Sequence, residues 1–323
     1  MSGRHEEIDL GAVRAVSIHD RPRKVSVDHF GRAPEVGMSV DELVRRLPDI
    51  LAGRDFRILL DRLEAAIRDG REWLFLLGGH VVKTGVVPGL VPMIERGWIR
   101  TVGMNGSAAV HDAEIALFGI TSETVEENLA DGSFGMARET AEFLNGAADA
   151  AHRDGTGFGE ALGRALEEAN APHADCSLLV AAHRAEIPAT VHVALGTDIV
   201  HQHPSARGDA IGDASLRDFR ILAARVARLE RGVVLNAGSA VLLPEVFLKA
   251  LTVARNLGHR VDDFAAVNFD MIRHYRPLAN VVNRPTRGKG WGAHFTGQHE
   301  ILLPLLSAAL EERLGGFRRP RSG

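Results

Sequence analysis

Short, mostly apolar stretches that do not alternate with polar residues recur along this chain, and they constrain its fold more than any other feature. Six stretches have this character: WLFLL, RTVGM, SLLVA, ATVHVAL, GVVLN and AAVNF. A strand that is apolar throughout, rather than at every second position, is typical of a sheet covered on both faces. We therefore expect these six stretches to form buried, mainly parallel strands.

Segments with helical periodicity lie before and between the predicted strands. Two of them, SVDELVRRLPDIL and FRILLDRLEAAIRDG, precede the first strand, and Ser39 and Glu42 have the spacing of a capping box. The others cover residues 89–95, 108–118, 125–129, 137–147, 158–169, 216–229, 245–256 and 300–312. Alternation of strand and helix predicts an α/β fold, with a doubly wound, mainly parallel sheet and helices on both faces.

Length and charge limit the domain organisation and the partners of the chain. Its 323 residues, 45% of them hydrophobic, are enough for a single large α/β domain, which we predict over residues 38–314. Residues 1–37 are rich in loop signals and are predicted to form an N-terminal arm, and the basic residues 315–323 to form a disordered tail. A net charge of −4 argues against a nucleic-acid partner, and no apolar run reaches the roughly 18 residues of a membrane span.

Cysteine content and the first residues indicate the compartment. Cys176 is the only cysteine, so no internal disulfide can form, and we expect a reducing environment. Its apolar neighbours predict a packed thiol rather than a nucleophile. The first residues lack the apolar stretch of a signal peptide, so the expected location is the cytoplasm.

Small and polar residues follow the predicted strands, where a parallel sheet binds its ligands. Glycine allows the backbone to approach a ligand closely, and hydroxyl and amide groups bind ribose and phosphate. One such loop would be weak evidence, because turns favour glycine and asparagine anyway, but several together predict a dinucleotide site for NAD. The predicted cofactor-binding residues are Gly78, Gly79, Thr84, Gly85, Asn105, Gly106, Ser107, Asn236, Gly238, Ser239 and Asn268.

Histidines near Asp198 raise the alternative of a metal site. On an extended segment His201 and His203 would face the same side, with His192 on the preceding strand, whereas a surface loop is the simpler interpretation. No HExxH or CxxC motif supplies further ligands, so no metal is predicted. A metal-assisted hydrolase or isomerase using Asp198, His201 and His203 stays open as an alternative function.

Four segments between Leu74 and Leu306 carry a family resemblance. They are WLFLLGGHVVKTGVVPGLVPMIERGWIRTVGMNGSAAVHDAEIAL, IPATVHVALGTDIV, RGVVLNAGSAVLLPEVF and ILLPLLSAAL. In order and spacing they resemble the deoxyhypusine synthase family, from its first nucleotide-binding loop to its last helix. The segment TRGKGWG also brings Lys289 near the position of that family's catalytic lysine.

The resemblance implies a fold, a cofactor and a chemistry. It implies a parallel sheet that binds NAD across its strand ends, in a homotetramer with sites between subunits. It also implies transfer of an alkylamine group: NAD accepts a hydride from a small-molecule amine or polyamine, and an enzyme lysine captures the imine. Lys289 would be the nucleophile, with Lys83 as the second candidate, and His111, Asp112 and Asp198 would face the substrate.

Departures from the family pattern concern the substrate. Residues 236–243, NAGSAVLL, replace a glycine-rich segment that ends in lysine and two histidines, so the family's substrate-binding histidine is absent. His111 replaces one acid of an acidic pair. These changes imply a substrate other than the hypusine-bearing initiation factor. A non-catalytic NAD-binding protein that retains the fold is a further alternative.

Overall fold

A six-stranded, all-parallel sheet forms the centre of the molecule. The structure, a computed structural model, describes residues 5–318. The strands are β1 (Trp73–Leu77), β2 (Thr101–Asn105), β3 (Ala189–His192), β4 (Val233–Ala237), β5 (Ala265–Asp270) and β6 (Trp291–Thr296), in the order β3-β2-β1-β4-β5-β6. The predicted α/β fold is confirmed.

Helices precede the sheet, connect its strands and cover both faces. They are α1 (Val40–Arg46), α2 (Leu51–Arg68), α3 (Gly79–Lys83), α4 (Val87–Glu95), α5 (Gly106–Phe118), α6 (Val125–Asp131), α7 (Arg138–Asp154), α8 (Phe158–Glu168), α9 (Leu178–Arg184), α10 (Gly208–Val226), α11 (Leu242–Asn256), α12 (Tyr275–Pro277) and α13 (His299–Leu314). A π-helix, Leu278–Asn283, follows α12, and three 3-10 turns lie at Val27–His29, Ala174–Cys176 and Ile199–Gln202. At α1 the predicted capping box is present, with Ser39 and Glu42 bonded reciprocally.

Alternate residues of β1 face two different core layers, as a buried strand requires. Leu74 and Leu76 pack with Leu222 of α10 and Phe247 of α11 on one face of the sheet. Phe75 and Leu77 belong to the larger core on the other face, with residues of α2 and α13. Since both faces are covered, the continuous apolar pattern of this strand follows directly from the architecture.

The chain reverses its direction of winding between β1 and β4. Strand β1 pairs with both β2 and β4, so the two halves of the sheet grow away from it in opposite directions. At such a switch point the loops after the two central strands separate and leave a crevice at the carboxyl edge of the sheet. Any ligand site of this fold is therefore expected at the ends of β1 and β4.

Two of the strand assignments differ from the sequence-based prediction. The stretch SLLVA is not a strand but the start of α9, whose first turn is capped by Ser177. A short apolar run cannot by itself distinguish a buried helix from a buried strand. Strand β6 was not predicted, because it lies at the edge of the sheet and only Ala293 and Phe295 of it are buried.

The two ends of the chain differ in whether they pack against the core. In the described part of the predicted arm, apolar side chains such as Ile8 and Val16 are exposed and add nothing to the core. The predicted disordered tail begins too early, because Phe317 packs against the core and its carbonyl accepts a hydrogen bond from Trp98. Residues 1–4 and 319–323 lie outside the described residues. The homotetramer stays a prediction.

Among residues 5–318, no helix is both long enough and apolar enough to cross a bilayer.

Candidate functional site

Two glycine loops touch at the switch point. A Cβ atom on Gly78, at the end of β1, would lie 2.2 Å from the carbonyl oxygen of Gly238, at the end of β4. On Gly79 a Cβ atom would lie 2.2 Å from Oγ of Ser107. Gly238 has φ +63°, in the left-handed region that favours glycine. The predicted cofactor loops are thus brought together, and only glycine fits where they meet.

The carboxylate of Asp198 lies against the start of α5. Asn105 caps the helix through Ala108, and a Cβ atom on Gly106 would lie 1.9 Å from Oδ2 of Asp198. That oxygen is buried without a hydrogen-bond partner among the described residues, and burial raises the pKa of Asp198 to about 6. The amino end of this helix therefore faces a carboxyl group that belongs to the same chain.

A cavity of about 730 Å³ opens beside Asp198. Its walls come from the ends of α3 and α5, from α6 and α7, and from the loop after β3. It carries four acidic side chains and one lysine: Glu114, Glu123, Glu139, Asp198 and Lys83. Val110, Phe118, Ile120, Val125, Phe134 and Ala137 add apolar surface. A cavity with this lining suits a cation attached to a hydrocarbon chain.

A hydrogen-bonded row runs along the cavity wall. His111 Nδ1 lies 2.7 Å from Oγ1 of Thr121, which donates to Glu114. Glu114 also accepts a hydrogen bond from Thr140 at 2.9 Å. Burial, and after it the charge of Lys83, lowers the pKa of His111 to about 4. His111 is therefore neutral at pH 7 and adds no positive charge beside Glu114.

The remaining predicted cofactor residues divide into two groups. Thr84 and Gly85 lie at the end of α3, where Thr84 donates to the carbonyl of Val81. Asn236 and Asn268 are fully buried on adjacent strands and are hydrogen bonded to each other. Asn236 also donates to the carbonyl of Ser239 and so fixes the loop after β4. Both asparagine side chains are shielded from solvent.

Two of the predicted catalytic residues are not at this site. Lys289 is exposed and lies two residues before the start of β6, so within one chain it lies at the amino edge of the sheet, opposite the crevice. It is close enough to Glu230, which precedes β4, to interact electrostatically. Asp112 is fully buried and accepts hydrogen bonds from Ser177, Leu178 and Leu179 at the start of α9.

The alternative metal site does not form. His201 lies in the 3-10 turn Ile199–Gln202 and not on an extended strand, so His201 and His203 do not share a side as predicted. His203 Nδ1 is bonded to Ser205, and His192 is buried against Thr190. Within residues 5–318, no three His, Cys, Asp or Glu residues are grouped so that they could hold a metal ion.

Several site residues were missed by the sequence-based prediction. Glu114, Glu123 and Glu139 line the cavity, and His80 and His299 meet at the crevice with ring centroids 5.9 Å apart. For Glu114 a signal existed, because Ser107, His111 and Glu114 have the spacing of one helix face. Glu123 and Glu139 come from other elements and give no such signal.

Comparison with known proteins shows the fold. No protein-family model matches the chain, and no curated protein matches it. The chain is similar to AgrE, solved as a ternary complex with ornithine and NAD+, with TM-score 0.53 and 14% identity over 85% of this chain and 34% of AgrE. It is similar to ArgZ, an arginine dihydrolase from the ornithine-ammonia cycle in cyanobacteria, with TM-score 0.50 and 15% identity over 85% of this chain and 32% of ArgZ.

A third solved structure is matched over most of its own length. It is a candidate deoxyhypusine synthase from Entamoeba histolytica, with TM-score 0.49 and 11% identity over 84% of this chain and 93% of that protein. By contrast, the chain spans about a third of AgrE and ArgZ. At these identities, the likeness to AgrE and ArgZ shows the shared α/β fold alone.

Proposed function

We propose that this chain is an NAD-dependent enzyme that acts on a small amine or polyamine. The observation that carries the proposal is the glycine contact between Gly78 and Gly238, directly beside an acidic cavity. AgrE, which shares the fold, was solved with NAD+ and ornithine, a cofactor and an amine. That likeness supports the proposal, and the residues of this chain give it its chemical detail.

The crevice at the switch point would hold the dinucleotide. Gly78, Gly79 and Gly238 lack side chains where the two loops meet, so their backbone groups can approach a ligand closely. When bound, NAD+ supplies the acceptor for a hydride from the carbon next to the amine nitrogen. The chain itself has to bind both ligands, orient them and exclude water.

The acidic cavity would hold the amine. Glu114, Glu123 and Glu139 provide carboxylates for ammonium groups, while Val110 and Phe118 contact the carbon chain. Neutral His111 does not compete with the ammonium groups for these carboxylates. Asp198, with its unpartnered oxygen, lies between the cavity and α5 and would hold the ammonium group closest to the crevice.

Lys83 is the better placed of the two candidate nucleophiles. It lines the cavity, whereas Lys289 is at the other edge of the sheet. In the proposed transfer, Nζ of Lys83 attacks the imine carbon of the oxidised amine and displaces the first amine. A proton from Nζ leaves on the displaced amine, and the alkyl group is carried on Lys83 as an imine until an acceptor amine displaces Lys83. Return of the hydride from the reduced cofactor to the new imine would complete the transfer.

Binding of NAD+ is the first test of this function. We expect saturable binding of NAD+ to the full-length protein by calorimetry, and a rise in unfolding temperature. At 100 times the dissociation constant the ligand should stabilise the protein by about 2.7 kcal/mol. Absence of any response at millimolar NAD+ would remove the cofactor from the proposal. Binding without turnover of any amine would favour the non-catalytic NAD-binding protein.

Reductive trapping tests the nucleophile. The protein is incubated with NAD+ and a panel of diamines and polyamines, treated with borohydride and mapped by mass spectrometry. We expect an adduct on Lys83 that is lost in Lys83→Arg, because arginine keeps the charge but does not form an imine. Lys289→Arg is the matched control and should retain the adduct. An adduct on Lys289 would restore the sequence-based assignment, and trapping on no lysine would exclude the transferase.

A further inference from the structure

His299 is a fully buried side chain without hydrogen bonds. It is the first residue of α13, and neither of its ring nitrogens has a partner among residues 5–318. A histidine ring always carries at least one N–H donor, and an unpaired buried donor costs about 1–3 kcal/mol. Buried His192, by contrast, is bonded to Thr190. Such a side chain is available to a partner that is not part of the chain, a ligand or an ordered water.

The surroundings of His299 lie in the second half of the crevice, over β4, β5 and β6. A Cβ atom on Gly238 would lie 2.8 Å from Nε2 of His299, and the ring of His80 is 5.9 Å away between centroids. Burial lowers the pKa of His299, and the charge of Asp270, at the end of β5, acts in the opposite direction. We call these four residues (His80, Gly238, Asp270 and His299) the His299 pocket.

An uncapped helix start points into the same place. Helix α13 has 16 residues, and Gln298 at its amino end makes no side-chain cap. The free backbone N–H groups of a helix start attract anions, most of all phosphate. On the other side of the crevice, the start of α5 already faces the carboxylate of Asp198. Asp198 lies directly against the first residue of α5, whereas the start of α13 has no side-chain cap.

Asp270 offers a second kind of contact, a carboxylate that can accept hydrogen bonds from ribose. It is buried, and its Oδ1 accepts a hydrogen bond from the backbone of Ile272 at 3.3 Å. A carboxylate at the end of a parallel strand is the usual partner of ribose hydroxyls in dinucleotide sites. Phosphate and ribose acceptors would then lie next to each other within one pocket.

We propose that the His299 pocket binds a phosphoribosyl group of the dinucleotide, with His299 and the start of α13 donating to phosphate and Asp270 accepting from ribose. This inference rests on the proposed NAD-dependent function and specifies which half of the crevice holds the phosphate. In this arrangement the amine occupies the acidic cavity, on the side of β1 to β3.

Calorimetry with three nucleotides and adenosine on the full-length protein tests the proposal. NAD+ and ADP-ribose contain two phosphoribosyl groups, and AMP contains only one. We expect His299→Ala to weaken NAD+ and ADP-ribose by about 10- to 100-fold, the range of a hydrogen bond to a charged group. AMP, whose own phosphoribosyl group fits the same pocket, should weaken to a similar extent, whereas adenosine, which has no phosphate, should change by less than about 2-fold. His299→Gln retains an amide donor and should fall between wild type and His299→Ala.

Controls separate this inference from the proposed function. His259 is exposed at the end of α11, and His259→Ala should leave all of these affinities unchanged. If wild type binds NAD+ and both His299 variants bind it equally well, the inference is wrong and the proposed function stands. An equal loss for adenosine and ADP-ribose would also overturn it. If wild type binds neither NAD+ nor ADP-ribose, both proposals fall.

Discussion

Gly238→Leu is expected to abolish NAD+ binding. A Cβ atom at this position would lie 2.8 Å from Nε2 of His299 and 3.2 Å from Cγ2 of Val81, and the rest of the leucine would extend into the crevice. Moreover, Gly238 has φ +63°, so a side chain adds backbone strain of about 1–2 kcal/mol. We expect no calorimetric heat at millimolar NAD+, while the far-UV circular dichroism spectrum stays that of a folded α/β protein.

Gly258→Leu is the matched control for the strain. Gly258 has φ +84°, is exposed at the end of α11 and has no atom within 4 Å of an added Cβ. This variant should lose a similar amount of stability and bind NAD+ as wild type does. Normal NAD+ binding by Gly238→Leu would place the dinucleotide elsewhere, since this side chain would fill the contact between the two glycine loops.

The sequence predicted the crevice because the strands and glycines that form it can each be recognised from a local pattern. Strands β1 and β4 are mostly apolar and are followed directly by glycine, and the alternation with helices requires their loops to meet at the carboxyl edge. Gly78 and Gly238 were therefore identified without knowledge of strand order. What the sequence could not show is that glycine is needed there because the two loops touch.

Lys289 shows how one missed strand moves a residue to the wrong edge. The segment from Trp291 to Thr296 contains glycine, histidine and threonine, so its apolar pattern is weak, and without a strand there Lys289 had no assigned edge. Once β6 is recognised as parallel to β5, the residue before it must lie at the amino edge. Its assignment to the site rested on the family resemblance alone.

His299 and the cavity acids depend on tertiary packing. A histidine at the start of a helix is unremarkable in a sequence, and its lack of partners becomes visible only when β5, β6 and α13 are assembled. Glu123 and Glu139 reach the cavity because the segments around α6 and α7 fold against α5. No periodicity connects these residues, so they could not be grouped from the sequence.

Asp112 was predicted to face the substrate, but helix periodicity indicates the opposite side of α5. Its neighbours one turn away, Ala108 and Ala116, are both fully buried, whereas His111 and Glu114 line the cavity. The Asp112 carboxylate accepts hydrogen bonds from Ser177 and from the backbone of Leu178 and Leu179. It therefore joins α5 to the start of α9.

Asp112→Ala is expected to be strongly destabilising. The change leaves the donors at the start of α9 unpaired in the core, which we expect to cost about 3–5 kcal/mol in urea unfolding at pH 7.5. Asp175→Ala, at an exposed position in the turn before α9, should cost less than about 0.5 kcal/mol. If Asp112→Ala kept wild-type stability but lost amine binding, the sequence-based assignment would be right.

The pH dependence of the same variant gives a second measurement. Burial raises the pKa of Asp112 to about 6, although its hydrogen bonds act in the opposite direction. The folded protein therefore keeps a proton on Asp112 at pH values where the unfolded chain, with an ordinary pKa of 3.8, has lost it. The proton on Asp112 thus stabilises the fold most near pH 4, and this contribution is lost as the pH rises to about 6. The difference between wild type and Asp112→Ala in the free energy of unfolding should therefore be larger at pH 4.5 than at pH 7.5, by about 1–3 kcal/mol. A difference that grows with pH instead would mean that Asp112 is stabilised as the charged carboxylate, with its pKa lowered in the fold.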